Sequence, residues 1–304
     1  MKKYNVCAVI VLYNPDKDRL VKVIESTSSM VDNIVIVNNG CSADTNDYLQ
    51  QILRSNTKIN CIPLTENMGL AFGINKGIEW AINNSNSHVL ILDHDTVPQN
   101  NMVEILLETL ERLESAGEKV ASVGASYFDP RSGLMHPFGK EGTSLDPYVQ
   151  VRYLQSSGSL TPISVLDEVG LMDDFLFIHH IDQEWCLRAL SKGFKSFGVN
   201  SAVMEHIVGD NTSRVWLGRW QKVHLHSPQR HYFSIRNSIV MSKRSYIPLA
   251  WKVEDLARSI FMFLFFSLTI TPRLEHAKMM MKGLIDGLLA SNSTANKMNE
   301  KTGI

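Results

Sequence analysis

The feature that most constrains the fold is a cadence in the N-terminal third, where short apolar runs end on polar turns and each turn opens a stretch with apolar residues at helical spacing. Val6 to Leu12 is continuously apolar, Tyr13-Asn14-Pro15-Asp16 breaks it, and Leu20, Val23 and Ile24 then fall on one helical face. Ile34 to Val37 ends in Asn38-Asn39-Gly40, a helix with Tyr48, Leu49, Ile52 and Leu53 follows, and a short strand lies near Ile59 to Leu64. Leu70 to Ile82 reads as helix, Val89 to Leu92 as strand, and Met102 to Leu113 as helix with Ile105, Leu106, Leu110 and Leu113 on one face. Strands alternating with helices imply an α/β fold, a mostly parallel sheet covered on both sides. At 304 residues and 44% hydrophobic, the chain can build one large domain or a domain with an appendage.

In such sheets ligands bind outside the carboxyl ends of the strands. Three ends carry polar groups: Tyr13-Asn14, Asn38-Asn39-Gly40 and Asp93-His94-Asp95. In extended chain, positions two apart point to the same side, so Asp93 and Asp95 can face one pocket while His94 points away. Carboxylates with room for water and phosphate suit Mg²⁺ or Mn²⁺, and the same pair also suits a turn or a helix cap. The turn from Tyr13 to Asp18 contains no glycine, which argues against a dinucleotide-binding fold or a P-loop. Phosphate must be neutralised by something other than a glycine cradle, and a cation on the aspartates would do it.

Net charge is −1 and no basic block is long enough to make nucleic acid the partner. Cys7, Cys41, Cys61 and Cys186 lack metal-type pairing and read as reduced thiols of a cytoplasmic protein, and the N-terminus lacks the apolar core of a secretory signal.

In the second half, Phe175 to Arg188 turns from apolar chain to helix at Asp182. Asp182 fits an N-cap, worth about 1 kcal/mol, and equally a catalytic base; Glu184 and Arg188 are four apart and can pair. His206 follows the apolar stretch from Val199 to Val203, where a histidine is either a packed residue or a ligand.

Taken in order, Val11-Leu12-Tyr13-Asn14, Asn38-Asn39-Gly40, Glu66-Asn67-Met68-Gly69-Leu70, Asn75-Lys76-Gly77, Asp93-His94-Asp95, Ser157-Gly158-Ser159-Leu160, Asp182-Gln183-Glu184-Trp185, His206, Arg236-Asn237 and Lys282-Gly283-Leu284-Ile285-Asp286-Gly287 resemble a family 2 inverting glycosyltransferase of the rhamnosyltransferase-like group. The resemblance runs over roughly residues 6 to 290. It implies a GT-A fold, a mixed, mostly parallel sheet flanked by helices with a C-terminal helical extension. The implied layout is a GT-A domain over 1–245, a helical membrane-associating or oligomerising region over 246–290, and a polar tail without packed structure over 291–304.

The resemblance also implies roles. Asp93 would contact the nucleotide ribose, Asp95 and His206, with Asp93 beside them, would hold a Mg or Mn ion against the donor diphosphate, and Asp182 would be the general base. Tyr13, Asn14, Asn38, Asn67, Gly69 and Gly158 would line the nucleotide-sugar site, with Arg230 and Arg236 on the diphosphate, while Trp185 and Glu184 would face the acceptor. The expected reaction is non-processive transfer of L-rhamnose from dTDP-L-rhamnose to a lipid-linked saccharide in bacterial surface polysaccharide (O-antigen or capsule-like) synthesis, at the cytoplasmic face of the plasma membrane. Where members of the group often carry an acidic residue three positions before the base, this chain has His179, followed by His180.

The stretch Ser259 to Ile270 is densely apolar yet shorter than the roughly 20 residues a bilayer requires. Lys243, Arg244, Lys252, Arg258, Arg273, Lys278 and Lys282 flank it, so it is expected to lie on a membrane surface, on the main domain or on a second subunit. Three rivals were weighed. Asp93-His94-Asp95-Thr96-Val97 also fits the haloacid-dehalogenase-like phosphatase pattern, but it follows several elements rather than the opening strand, and residues 208–214 lack the second aspartate. A non-catalytic sugar-nucleotide-binding protein would not need Asp93, Asp95, Asp182 and His206 together. A processive synthase would carry Gln-x-x-Arg-Trp, and here Trp216 stands where the glutamine belongs before Arg219-Trp220.

Overall fold

The computed structural model describes residues 4–139, 147–206, 212–216 and 220–290. The chain forms two compact units, one of residues 1–174 with 185–207 and the other of residues 175–184 with 208–304. The first contains β1 (Val6–Leu12), α1 (Lys17–Ser28), β2 (Asn33–Asn39), α2 (Ala43–Ser55), β3 (Ile59–Leu64), α3 (Leu70–Asn83), β4 (His88–Asp93), β5 (Val97–Pro98), α4 (Met102–Ser115), β6 (Val120–Asp129), β7 (Leu134–His136), β8 (Tyr148–Val151), β9 (Ser159–Pro162) and α5 (Ile163–Val169). Helix α6 (Ile181–Ser191) crosses the division, β10 (Lys195–Glu205) returns to the first unit, and β11 (Thr212–Trp216), β12 (Trp220–His224), α7 (Pro228–Ser242), α8 (Leu249–Thr269) and α9 (Arg273–Leu289) follow.

In the first unit the sheet runs β3-β2-β1-β4-β9-β6-β10-β5. The strands β3, β2, β1 and β4 are mutually parallel, as the alternation of strand and helix requires, and β9 then pairs antiparallel with both β4 and β6. All seven residues of β1 are buried, which is why its sequence is apolar without alternation. The chain turns from β1 to β2 on one side and to β4 on the other, so the carboxyl ends of β1 and β4 flank a switch in strand order, the place where such sheets bind ligands. Asp93 lies opposite Val11 in the β1–β4 register, which puts the aspartate turn beside Tyr13 and Asn14.

Local chemistry fixes the helices that frame this edge. Asp16 caps α1 by accepting from the Arg19 N–H at 2.8 Å, and Ser42 caps α2 through the Thr45 N–H. Helix α3 sits directly on β1 because Gly73 and Gly77 face it; a Cβ at Gly77 would stand 2.2 Å from Val9 Cγ1. That explains the glycine of Asn75-Lys76-Gly77. Asn75 is buried and donates to the Met172 carbonyl at 2.8 Å while accepting from the Met172 N–H at 2.9 Å, tying α3 to the segment after α5.

The second unit is helical, with the β11–β12 hairpin. Its core contains Ile235, Phe265, Phe266 and Met280, with Met262, Phe263 and Leu284 against it. Each large apolar side chain so buried contributes about 1.5–3 kcal/mol. Gly283 and Gly287 allow α9 to approach the α7 backbone, since a Cβ at Gly283 would lie 2.5 Å from the Tyr232 carbonyl oxygen. Helix α7 packs with α8 and α9, and the second compact unit includes residues 175–184 together with the chain from 208 onward. The tail 291–304 lies outside the described residues.

Candidate active site

The strand β4 ends at Asp93, and a turn closed by the Thr96 N–H on the Asp93 carbonyl at 3.1 Å carries the chain through His94 and Asp95 into β5. Strand β5 pairs antiparallel with the end of β10, Val97 opposite Glu205, and this pairing delivers His206, the next residue, to the same turn. One ligand atom each from Asp93, Asp95 and His206 lies within 4.8 Å of the others. Two carboxylates and an imidazole around a half-exposed position match the donors that Mn²⁺ or Mg²⁺ takes while keeping sites for water and phosphate.

Behind the cluster runs a hydrogen-bonded chain. The Asp93 N–H donates to Ser157 Oγ at 2.9 Å, Ser157 Oγ donates to Thr96 Oγ1 at 2.9 Å, and Thr96 Oγ1 lies 2.8 Å from His206 Nδ1. Thr96 is fully buried. For His206 to offer Nε2 to a cation, Nδ1 must carry the proton, and Thr96 Oγ1 can accept it while still accepting from Ser157. Arg19 braces the turn from the other side: its Nε donates to the Asp95 carbonyl at 2.9 Å and its guanidinium pairs with Glu205 at 3.2 Å. Thr96, Ser157 and Arg19 carried no assigned role from sequence. Ser157 stood in a recognised motif and Thr96 beside the aspartates, whereas nothing marked Arg19.

The other strand ends divide between exposed groups and scaffold. Tyr13 is 50% exposed and Asn14 adopts φ +47° at the end of β1, leaving both side chains open to a ligand. Asn38 is buried, accepts from the Cys41 N–H at 3.0 Å and donates to Asn46. Asn67 is tied down as well, accepting from Asn39 Nδ2 and the Gly69 N–H, each at 3.0 Å. Gly40, at φ +75°, presses on this loop, since a Cβ there would lie 2.4 Å from the Glu66 carbonyl carbon. Gly69 opens α3 at φ +95°. Gly158, at φ +79°, bridges β4 and β6 through Ile91 and Ala125 and leaves no room for a side chain over Met204.

Residues 7–169, more than half of the chain, match the family described as glycosyl transferase family 2. The chain belongs to that family. This glycosyltransferase is 27% identical over 293 residues to a protein named dTDP-rhamnosyl transferase RfbF from Shigella flexneri, a similarity covering 93% of this chain and 95% of that one. Among solved structures it resembles GalNAc-T7 with UDP, GalNAc and Mn²⁺ at a TM-score of 0.59 and 13% identity, over 98% of this chain and 58% of that chain. It also resembles S. aureus TarS 1–349 in complex with UDP, at 0.56 and 14%, over 97% and 83% of the two chains. The glycosyltransferase thus spans little more than half the length of GalNAc-T7. The fold is the GT-A fold that the resemblance implied, within the α/β class read from the alternation of strands and helices.

In the second unit of the glycosyltransferase, Asp182 sits in the first turn of α6, half-buried, and accepts from the Gln183 N–H at 2.8 Å. It is inside the helix rather than at its cap. The preceding turn is built of left-handed residues, with Phe177 at φ +61°, His179 at +64° and His180 at +62°. Burial, reinforced by Arg230 and neighbouring histidines, pushes the His179 imidazole down to about 3, and burial with Arg258 pushes His180 to about 4, so both are neutral near pH 7.

Three of the expected ligand-facing side chains have internal partners. Arg236 does not reach out to a diphosphate: its guanidinium is buried, donates to the Phe175 carbonyl at 2.5 Å and to Asn237 Oδ1, and stacks on Phe175 and Phe233. Glu184 does not face an acceptor; it is fully buried, accepting from Tyr246 Oη and pairing with Arg244 at 3.0 Å. Trp185 is core as well, its indole N–H donating to the Gly170 carbonyl at 2.8 Å. In each case a long polar or aromatic side chain finds internal partners that satisfy its polar atoms, which burial demands. Arg230 is half-buried at the start of α7, and among the described residues its Nε has no hydrogen-bond partner.

Proposed function

We propose that the protein is a metal-dependent inverting rhamnosyltransferase that moves L-rhamnose from dTDP-L-rhamnose onto a lipid-linked saccharide during bacterial surface polysaccharide synthesis. The observation that carries this reading is the Asp93, Asp95 and His206 cluster at the switch in strand order, in a chain aligned over 93% of its length with a protein named as a dTDP-rhamnosyl transferase. The GalNAc-T7 structure, of the same fold, holds Mn²⁺ with UDP, which supports a divalent cation here.

A Mn²⁺ or Mg²⁺ ion held by Asp95 and His206, with Asp93 beside them, supplies Lewis-acid stabilisation of the departing diphosphate. Asp93 accepts from the nucleotide ribose, and Tyr13 and Asn14, exposed at the end of β1, line the nucleotide-sugar site. Thr96 and Ser157 keep His206 in the tautomer that frees Nε2. Asp182 accepts the proton of the acceptor hydroxyl as that oxygen attacks the anomeric carbon opposite the diphosphate, so the product carries inverted configuration. Its carboxylate, at the start of α6, accepts from the Gln183 N–H at 2.8 Å.

The lipid-linked acceptor is supported by the C-terminal helices. Leu249, Val253, Leu256, Ile260 and Leu264 recur on one face of α8, all exposed, and Leu274, Met281, Ile285 and Leu288 do the same on α9 beside Lys278 and Lys282. Among the described residues no helix is long and apolar enough to cross a membrane. An exposed apolar face with basic residues on its rim suits peripheral attachment at the cytoplasmic leaflet.

The test is a panel of nucleotide sugars assayed for Mn²⁺- or Mg²⁺-dependent binding and turnover, with Asp95→Ala and Asp182→Ala alongside. dTDP-L-rhamnose is expected to turn over best and only with the cation. Metal-independent turnover, or full activity of Asp182→Ala, would overturn the mechanism, and preference for another donor would overturn the assignment of rhamnose.

A further inference from the structure

The turn before Asp182 is held in a conformation that its own residues disfavour. Phe177, His179 and His180 all occupy the left-handed region, where a bulky L side chain crowds its backbone and where glycine is the usual resident. Such a run of strained residues persists only when the surroundings over-determine it.

The surroundings are Arg236 and Asn237 of α7. The Asn237 side-chain amide is fully buried, and its two N–H groups are shared among three carbonyls of the turn, those of Leu176 at 2.8 Å, Ile178 at 2.7 Å and His179 at 2.9 Å. Arg236 extends the grip by donating to the Phe175 carbonyl and, through Nε at 3.0 Å, to Asn237 Oδ1, which orients the amide so that its NH₂ faces the turn. Phe177 stacks on Phe233 of the same helix at 4.6 Å between ring centroids. At the far end of the turn His180 Nε2 lies 3.3 Å from the buried Asp255 carboxylate and accepts from Arg258 at 2.9 Å. The His180 carbonyl then accepts the Glu184 N–H at 2.8 Å, starting α6. These bonds together fix where α6 begins, and Asp182 is its second residue.

We infer that Asn237 is a positioning residue: it holds the left-handed turn Phe177–His180 and thereby sets the place and direction of the Asp182 carboxylate. This rests on the reading of Asp182 as the base. The Asn-specific element is the NH₂ group, because aspartate of the same shape still accepts from Arg236 and offers nothing to the three carbonyls. Misplacing a reacting group by a fraction of a helical turn costs rate rather than donor affinity.

The experiment compares wild type, Asn237→Ser, Asn237→Asp and Arg236→Lys. The readouts are steady-state transfer, calorimetric binding of dTDP with Mn²⁺, and amide hydrogen exchange. Both Asn237 variants are expected to lower kcat on the order of 10- to 100-fold with the donor KM and the dTDP–Mn²⁺ affinity within twofold of wild type. Faster exchange is expected to be confined to residues 176–184. Arg236→Lys, which keeps the charge and loses the fork between Phe175 and Asn237, is expected to show the same split at smaller amplitude, and it carries the test if the Asn237 variants do not fold. Wild-type kcat in the folded variants, or a loss of dTDP–Mn²⁺ binding equal to the loss of kcat, would overturn the inference. An inactive Asp182→Asn beside fully active Asn237 variants would refute the clamp and leave the base in place, whereas a fully active Asp182→Asn would refute the base itself.

Discussion

Replacing Thr96 by valine removes one oxygen from a fully buried position and changes shape hardly at all. Two consequences follow from the hydrogen-bonded chain. His206 loses the partner 2.8 Å from its Nδ1, and Ser157 loses the acceptor for its hydroxyl proton at 2.9 Å. Outer partners of metal-binding histidines typically hold 10- to 100-fold in metal affinity, so the Mn²⁺ dissociation constant is expected to rise by about that factor, or about 1.4–2.7 kcal/mol. The orphaned Ser157 hydroxyl costs about 1–3 kcal/mol of folding stability on its own. The two effects separate by method: Mn²⁺ affinity is read by calorimetric titration in the presence of dTDP, stability by urea denaturation without metal. Thr96→Ser, which restores the oxygen, is expected to recover most of both. Unchanged Mn²⁺ affinity in folded Thr96→Val would show that His206 is not a ligand oriented by Thr96.

Gly40→Ala is expected to cost more than about 2 kcal/mol in urea denaturation and to weaken dTDP binding, because the added Cβ meets the Glu66 backbone at 2.4 Å at a φ of +75°. The buried histidines set an acid limit on the second unit. His179 and His231 fall to about 3 and His180 to about 4 from 6.5, so the unfolded chain binds the extra protons. Their contribution is complete above pH 6.5 and is lost as pH falls through about 4 to 3, and urea midpoints between pH 7 and 4 should decline accordingly. Substituting Leu256, Ile260 and Leu264 together by glutamine is expected to abolish co-sedimentation with anionic vesicles while sparing dTDP binding; undiminished co-sedimentation would remove α8 from the membrane reading.

The first half of the fold was legible because apolar period and turn chemistry agree there. Val6–Leu12 has no alternation and is buried on both faces, and Asp16 and Ser42 cap the helices that follow. Asp93 and Asp95 were singled out as a pair from strand periodicity, but β4 ends at Asp93 and it is the turn closed by the Thr96 N–H that brings the two carboxylates together. His206 was marked by position only as a packed residue or a ligand, because its place beside the aspartates depends on a two-residue strand pairing with β10 across a hundred residues, and only the resemblance joined it to them. The partners of the long side chains were not legible. Arg236, Glu184 and Trp185 read from sequence either as groups meeting ligands or as helix-face and core residues, and the internal partners that satisfy their polar atoms are tertiary contacts that local pattern does not encode. The left-handed turn before Asp182 was hidden for the same reason: nothing in Phe177-Ile178-His179-His180 favours positive φ, and the residue that imposes it, Asn237, lies some sixty positions away.

The most direct test of the central claim is the anomeric configuration of the product formed from dTDP-L-rhamnose and Mn²⁺, followed by NMR with wild-type protein and with Asp182→Asn. A rhamnoside of configuration opposite to the donor, formed by the wild type and lost in Asp182→Asn, is the expected result. A product that retains the donor configuration, or one formed equally well by Asp182→Asn, would contradict it.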